Sequence, residues 1–207
     1  MYVTARKILA VDACVRRDAS RTRRLKNTFL SAFSGNEQQW QIKETMLETE
    51  ELLPLNHARL MQREALCDKR LFSDRMFQMA HDLLEADLLV VAAPYWDLSF
   101  PSSLKVWVEQ VFVRNLTFYY AEDRPFGMLH AKHCVYLTTS GSMIGENDWG
   151  ASYIRATMDM LGIKKFSCIA GEGLDLSGAD VNQIMHRASE EARALARELQ
   201  RPDAWET

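Results

Sequence analysis

A doubly wound α/β domain, with five parallel strands in the order 2-1-3-4-5 and helices on both faces, is the fold this sequence predicts. Three observations lead to it. The run Leu88–Ala93 is apolar at every position, which fits a strand covered on both faces rather than one alternating between core and water. Segments with strand character alternate along the chain with segments of helical spacing, the order that builds a parallel sheet. The loops at the carboxyl ends of the strands gather hydroxyls, aromatics and prolines, and an open α/β sheet binds its ligand there.

The elements follow in chain order. Ile8–Val11 reads as the first strand, and a polar, arginine-rich loop follows it. Leu25, Phe29, Ala32 and Phe33 then recur at helical spacing, with Gly35 and Asn36 as the stop. Gln39–Met46 is a second, more solvated strand. In the stretch 47–72, Pro54 interrupts the line and Asn56 caps a helix through Ala65–Lys69; Ser73 caps another reaching Glu85. Met76, Phe77, Ala80, Leu83 and Leu84 form the apolar stripe of that last helix. After the third strand and its proline-bounded loop, an amphipathic helix leads away within the segment 87–118, and 121–132 is a polar excursion. His133–Thr139 is the fourth strand, Ala151–Leu161 a helix closed by Gly162, and Lys164–Ala170 the fifth strand. A terminal helix starts at Ser177, with Asp180 favourable in its first turn. Val181, Ile184, Met185, Ala188, Ala192, Leu195 and Leu199 form its buried stripe.

The chain has 207 residues, 47% of them hydrophobic, enough for one domain over 1–207 with a substantial core. Its net charge of -3, with interspersed signs, offers no general attraction to nucleic acid or to an anionic membrane. Cys14, Cys67, Cys134 and Cys168 are widely spaced and read as small buried hydrophobes of a reducing compartment. No C-x-x-C pair suggests a metal. The amino terminus lacks the long apolar core of a signal peptide, and no run approaches the ~18 apolar residues of a membrane span. A cytoplasmic location is the expectation.

Three loops carry the chemistry. In Asp12–Thr22, Ser20 and Thr22 fall where the first helix begins, so hydroxyls, free N–H groups and the helix dipole converge on an anion such as a phosphate monoester. Arg16, Arg17, Arg21, Arg23 and Arg24 raise the local potential further. The competing reading is a plain helix cap with solvated arginines. Absence of glycine argues against a dinucleotide loop or a P-loop. In the second loop, Pro94 and Pro101 bracket Tyr95, Trp96, Asp97, Leu98, Ser99 and Phe100, a stiff aromatic platform for a flat ligand, unless the rings simply pack against helices. The third, Thr138–Ser142, includes Thr139, Ser140 and Gly141 and permits a turn whose N–H groups point at a carbonyl or a delocalised negative charge, although small polar turns after strands are common. In the order 2-1-3-4-5 these loops line one crevice.

S-R-T opening the first helix, A-P-Y-W-D-L-S-F-P-S-S-L-K after the third strand, L-T-F-Y-Y after its helix, T-S-G after the fourth strand and L-G-I-K-K-F-S-C-I-A-G-E-G around the fifth occur in one order along nearly the whole chain. Together they resemble the flavodoxin-like NAD(P)H:quinone oxidoreductases and FMN-dependent NADH-azoreductases. The resemblance implies a flavodoxin-like fold with FMN as cofactor and NADH or NADPH as electron donor. Ser20 and Thr22 match positions that hold the FMN phosphate, and Arg21 one that contributes its amide. Pro94, Tyr95, Trp96, Asp97 and Leu98 match the loop along the isoalloxazine; Thr139, Ser140, Gly141 and Ser142 match the loop near its pyrimidine edge. The resemblance also implies a homodimer with its sites at the interface, where Phe118 and Tyr120 match positions near the substrate pocket. The chain departs from the family pattern at Ala13, Cys14, Asp97, Asn115 and Ser142.

On this reading the protein reduces quinones, azo compounds or both by ping-pong hydride transfer through flavin N5, and the cofactor, not a catalytic side chain, does the chemistry. No metal is expected. His130 and His133 are given no role, and Cys14 is read as an inert buried thiol. Two alternatives stand beside the enzyme: a non-catalytic flavin-binding electron carrier or redox sensor, and a flavodoxin-shaped module that acts without cofactor through protein contacts. Charge near balance argues against a carrier that docks through an acidic surface.

Overall fold

The structure, a computed structural model, describes residues 5–35, 38–146 and 148–205. Its main sheet holds five parallel strands: β1 (Arg6–Asp12), β2 (Trp40–Met46), β3 (Leu88–Ala92), β6 (His133–Thr139) and β7 (Lys165–Gly171). Their order is β2-β1-β3-β6-β7, which is the predicted 2-1-3-4-5 arrangement. Two further strands escaped the sequence reading: β4 (Phe118–Ala121) and β5 (Arg124–Gly127) pair antiparallel outside the main sheet. Their two-residue turn, Glu122 and Asp123, has positive φ at both positions, the hairpin geometry whose twist matches that of the flanking strands. The excursion at 121–132 is therefore one arm of a hairpin and its return.

Each helix has a local cause. Helix α1 (Arg21–Ser31) starts at Ser20, whose Oγ accepts the Arg23 N–H, and α2 (His57–Asp68) starts at Asn56, whose side chain accepts the Arg59 N–H. Three predicted starts move. Asp74, not Ser73, caps a short 3-10 turn at Arg75–Phe77 that leads into α3 (Gln78–Leu84). Asp148 caps α5 (Trp149–Leu161), its carboxylate accepting the Ala151 N–H, and Asp180 caps α6 (Val181–Leu199), accepting the Gln183 N–H. Residues 177–180, expected to be helical, form a turn in which Gly178 has φ +78°. Past α1, which ends at Ser31, Gly35 takes a left-handed conformation, while the stop assigned to Asn36 lies outside the described residues. Helix α4 (Ser102–Val111) follows Pro101 directly.

The sheet is buried on both faces because successive residues of its central strands point into two different cores. Ile8 and Ala10 of β1, with Leu88 and Val90 of β3, pack against Leu25 and Phe29 of α1 and the Ala188, Ala192, Ala196 stripe of α6. Leu9, Val11, Leu89 and Val91 face Trp107 and Val108 of α4 and Ile154 and Met158 of α5. At roughly 1.5–3 kcal/mol for each large apolar side chain, this burial favours α1 and α6 on one side and α3, α4 and α5 on the other. Strand β2 is an edge strand with four solvent-exposed residues in a row, which is why its sequence pattern is weak. On β7, at the opposite edge, Cys168 is exposed, contrary to expectation. The other three cysteines are buried.

The hairpin is seated on the end of α5 through glycine. A Cβ on Gly127 would lie 1.9 Å from the Leu161 carbonyl carbon, and Gly162, at φ +113°, would bring one within 3.0 Å of the Leu129 oxygen. No side-chain rotation relieves a clash with backbone. Gly127→Ala is expected to lower unfolding stability in urea by about 1–3 kcal/mol by prising the hairpin from α5. An unchanged midpoint would show that the contact is dispensable.

Candidate functional site

The loop after β1 is organised from beneath by a buried carboxylate. Asp12, fully buried at the end of β1, accepts from Arg23 Nε at 2.8 Å, from Lys26 Nζ at 2.9 Å and from the Cys14 N–H at 2.8 Å. Arg23 also donates to the Cys14 carbonyl at 3.1 Å, and Lys26 reaches on to Glu44 of β2. Burial alone would push the Asp12 carboxyl up, but the hydrogen bonds from Arg23, Lys26 and the Cys14 amide overturn it and hold the group below the ordinary carboxylate range. Arg23 and Lys26 lie on the inward side of α1, so this network sets the height and rotation of the helix over the sheet.

Above it, the first turn of α1 opens into a cavity of about 300 Å³. One wall is Arg16, Ala19, Ser20, Arg21 and Thr22; facing it are Pro94, Tyr95 and Trp96, then Thr139, Ser140 and Gly141, then Leu174 and Asp175. The three predicted loops thus meet. Arg21 and Thr22 sit in the first helical turn, where backbone N–H groups have no intrahelical acceptor. Thr22 Oγ1 lies 2.6 Å from Thr139 Oγ1, a hydroxyl pair joining two loops across the floor. The Tyr95 N–H donates to the Thr139 carbonyl at 2.9 Å, which fixes the aromatic loop to the end of β6. A site with this lining can take an anion at the α1 end and a flat polar ring between the other two loops.

Other predicted residues stand outside this lining. Asp97 and Leu98 are the tip of a two-residue turn closed by mutual hydrogen bonds between Trp96 and Ser99, and both have positive φ. Leu98 is 65% exposed. Ser142 lies one residue past the cavity edge and is exposed. Phe118 is buried beneath the hairpin, edge-on to the exposed Tyr120, and neither lines the cavity. Of the five arginines expected to strengthen an anion site, three are ion-paired: Arg23 with Asp12 and Arg17 with Glu48, away from the cavity, and Arg21 with Asp175 on its wall. Arg24 is exposed and does not line the cavity; Arg16 and Arg21 do. His130 is exposed, and His133 bonds Ser167 Oγ on the sheet, away from the cavity. Burial and the neighbouring Asp12 push the Cys14 thiol up to about 12, so it is inert.

Leu174 and Asp175 were missed by the sequence reading. The available signal was the polar G-E-G-L-D stretch after the fifth strand, which lies beside the fourth in the predicted order. The Asp12 network was missed too; its trace is an acid closing an apolar strand and two bases three residues apart on the helix that follows.

A sequence profile described as flavodoxin-like fold matches residues 6–196. A curated relative, the FMN-dependent NADH:quinone oxidoreductase 2 of Clostridium acetobutylicum, is 34% identical over 129 residues, a stretch covering 60% of this chain and 64% of that protein. An FMN-dependent NADH:quinone oxidoreductase of Clostridium perfringens is 28% identical over 196 residues, or 93% of this chain and 99% of the relative. Among solved structures, an azoreductase from Bacillus anthracis superposes with a TM-score of 0.82 at 21% identity, covering 93% of this chain and 99% of that one. A second, an FMN-dependent NADH-azoreductase of the same species in complex with FMN, superposes with a TM-score of 0.81 at 18% identity, covering 95% of this chain and 100% of that one. At such identities the solved structures speak to the fold.

The buried network has a definite acid limit. Because the folded Asp12 carboxyl titrates below its unfolded value of ~3.9, its contribution is fully present above that pH and is lost as pH falls through the depressed folded value. Asp12→Ala leaves two cations without a buried partner and is expected to lower stability by about 3–5 kcal/mol at neutral pH. Urea titrations at pH 7 and pH 3 check both statements: the gap between wild type and variant should narrow at the lower pH, and a gap that widens would contradict them.

Proposed function

The chain belongs to the flavodoxin-like fold family, and on that premise we propose that it is an FMN-dependent NADH:quinone oxidoreductase that also reduces azo compounds. The observation that carries the reading is the single cavity in which the α1 amino terminus, the Pro94–Trp96 loop and the Thr139–Gly141 loop meet. Its donors suit a phosphate monoester, its aromatic wall suits a flat ring, and curated relatives of near-equal length bear that name.

In this reading the N–H groups of Arg21 and Thr22, the Ser20 hydroxyl and Arg16 hold the phosphate. Ser20 Oγ accepts the Arg23 N–H, and its hydroxyl, which also lies within hydrogen-bonding reach of the Cys14 thiol, would turn to the phosphate. Pro94, Tyr95 and Trp96 would border one side of the ring and Thr139, Ser140 and Gly141 the other, with Asp97, Leu98 and Ser142 standing outside the cavity lining. When bound, FMN would supply the redox chemistry, hydride transfer at N5 between NADH or NADPH and a quinone or azo acceptor. The protein contributes position, and N–H dipoles at the strand ends stabilise negative charge. Donor and acceptor share one open face and so bind in turn, a ping-pong order. Phe118 and Tyr120 border the substrate in a homodimer whose sites lie at the interface; the exposure of Tyr120 and Leu98, at 60% and 65%, is consistent with such a cover. One domain over residues 1–207 and a cytoplasmic location complete the proposal, in keeping with the absence of any helix, among the described residues, long and apolar enough to cross a membrane.

Purified protein should quench FMN fluorescence on binding and oxidise NADH with menadione or methyl red, giving parallel double-reciprocal lines. Ser20→Ala should weaken FMN binding roughly ten- to hundredfold, the worth of one hydrogen bond to a charged group, and leave riboflavin binding unchanged. Protein that binds FMN but leaves NADH unoxidised would be a carrier; protein that binds no flavin would end the proposal.

A further inference from the structure

Asp175 is the one acidic residue on the cavity wall, and it stands where the reading above places a phosphate. Its position is fixed by backbone. The N–H groups of Gly173, Leu174 and Asp175 donate to the carbonyls of Ser142, Ser140 and Gly141 at 3.0, 3.0 and 2.9 Å, so the loop after β7 is laced to the loop after β6. Gly141 makes room for the carboxylate: a Cβ there would lie 2.4 Å from Asp175 Oδ2. From this place the carboxylate reaches across to the first turn of α1 and accepts from Arg21 Nη1 at 2.8 Å. The other charged residue on the wall, Arg16, has no ion pair among the described residues.

We propose that Asp175 is a specificity-determining residue, which holds Arg21 at the rim and offsets its charge so that the site accepts a phosphate monoester while disfavouring ligands with more phosphate. The proposal rests on the FMN reading and extends it. The ion pair is exposed, at 34% and 68% of its two side chains, and contributes little to stability; its effect is on the charge a ligand meets. With Asp175 present the wall carries a net charge of one, from two arginines and one carboxylate, and recognition depends mainly on N–H and hydroxyl geometry. Without it, two guanidinium groups face the ligand, and any polyanion is drawn more strongly.

The test is a binding comparison on the apo protein, with FMN, FAD and riboflavin titrated by fluorescence at low and high salt. Asp175→Asn should tighten FMN roughly fivefold, as expected for one charge removed at several ångströms near the surface. It should tighten FAD, whose pyrophosphate carries about the same charge as the FMN monoester, by a similar factor, tighten inorganic tripolyphosphate measured as a competitor of FMN by a larger one, leave riboflavin unchanged, and steepen the salt dependence for both phosphorylated flavins. Arg21→Gln exposes the carboxylate and should act in the opposite direction, while the double variant should return close to wild type. An Asp175→Asn variant that binds FMN more weakly, or that shifts riboflavin by the same factor, would overturn the proposal and leave the FMN reading intact. Wild-type protein that binds none of the three flavins would overturn both.

Discussion

The Asp12 carboxylate at the end of β1 is the interaction on which the rest of the site depends. A lone buried charge would be severely destabilising, and here the desolvation is met by a guanidinium, an ammonium and a backbone amide at once. What the arrangement secures is geometry more than net stability. A hydrophobic core alone would let α1 slide or roll by a fraction of a turn at modest cost; two charge-assisted bonds from Arg23 and Lys26 to one carboxylate forbid both. Through Lys26 the same carboxylate is tied to Glu44, and through its backbone carbonyl to the Leu47 N–H, so the edge strand β2 is registered against the same point.

The free N–H groups of α1 then face the neighbouring loops at a fixed distance, because those loops are themselves continuations of the sheet. The Ala13 N–H donates to the Ala92 carbonyl, Ala93 to Leu137, Tyr95 to Thr139 and Ser140 to Gly171. Parallel pairing thus persists for a residue or two beyond the strands before each loop turns away. Loops held in this way differ from ordinary surface connections, whose positions depend on their own side chains. The cavity is therefore a property of strand adjacency: β1, β3, β6 and β7 are consecutive in the sheet, and each contributes the residues that follow it.

Most of this was legible in the sequence, for identifiable reasons. Strand β3 announces itself because a strand covered on both faces is apolar throughout, β6 because its residues alternate, and Gly162 marks the end of α5 because the left-handed cap needs it. The hairpin β4–β5 was not legible: Y-Y-A-E-D-R-P-F lacks the Asn-Gly signature, and its seat on α5 is created by Gly127, which meaning only the three-dimensional contact supplies. At α3 and α6 the helix starts were misplaced because a serine precedes an aspartate, and since both residue types cap, the competition is settled by the local turn. In the site, the three loops were read correctly as neighbours, yet the arginine cluster was overvalued. Sequence shows five positive charges close together; only burial and pairing show that Arg23 points inward to Asp12 and Arg17 sideways to Glu48.

The aromatic loop shows why its strain is tolerated. Asp97 and Leu98 both occupy the left-handed region, at φ +51° and +65°, in a turn that usually takes Asn-Gly, and a leucine there costs about 1–2 kcal/mol. Paired hydrogen bonds between Trp96 and Ser99 close the turn, Tyr95 is tied to Thr139, and Pro101 leads straight into α4. These anchors over-determine the backbone, so the strain cannot relax by opening the loop. An unstrained, wider turn would need extra residues and would let Trp96 swing away from the cavity. The short turn instead keeps Trp96 at the cavity wall and directs Leu98 outward into solvent, so that one strained step separates the residue that faces the ligand site from the one that faces away.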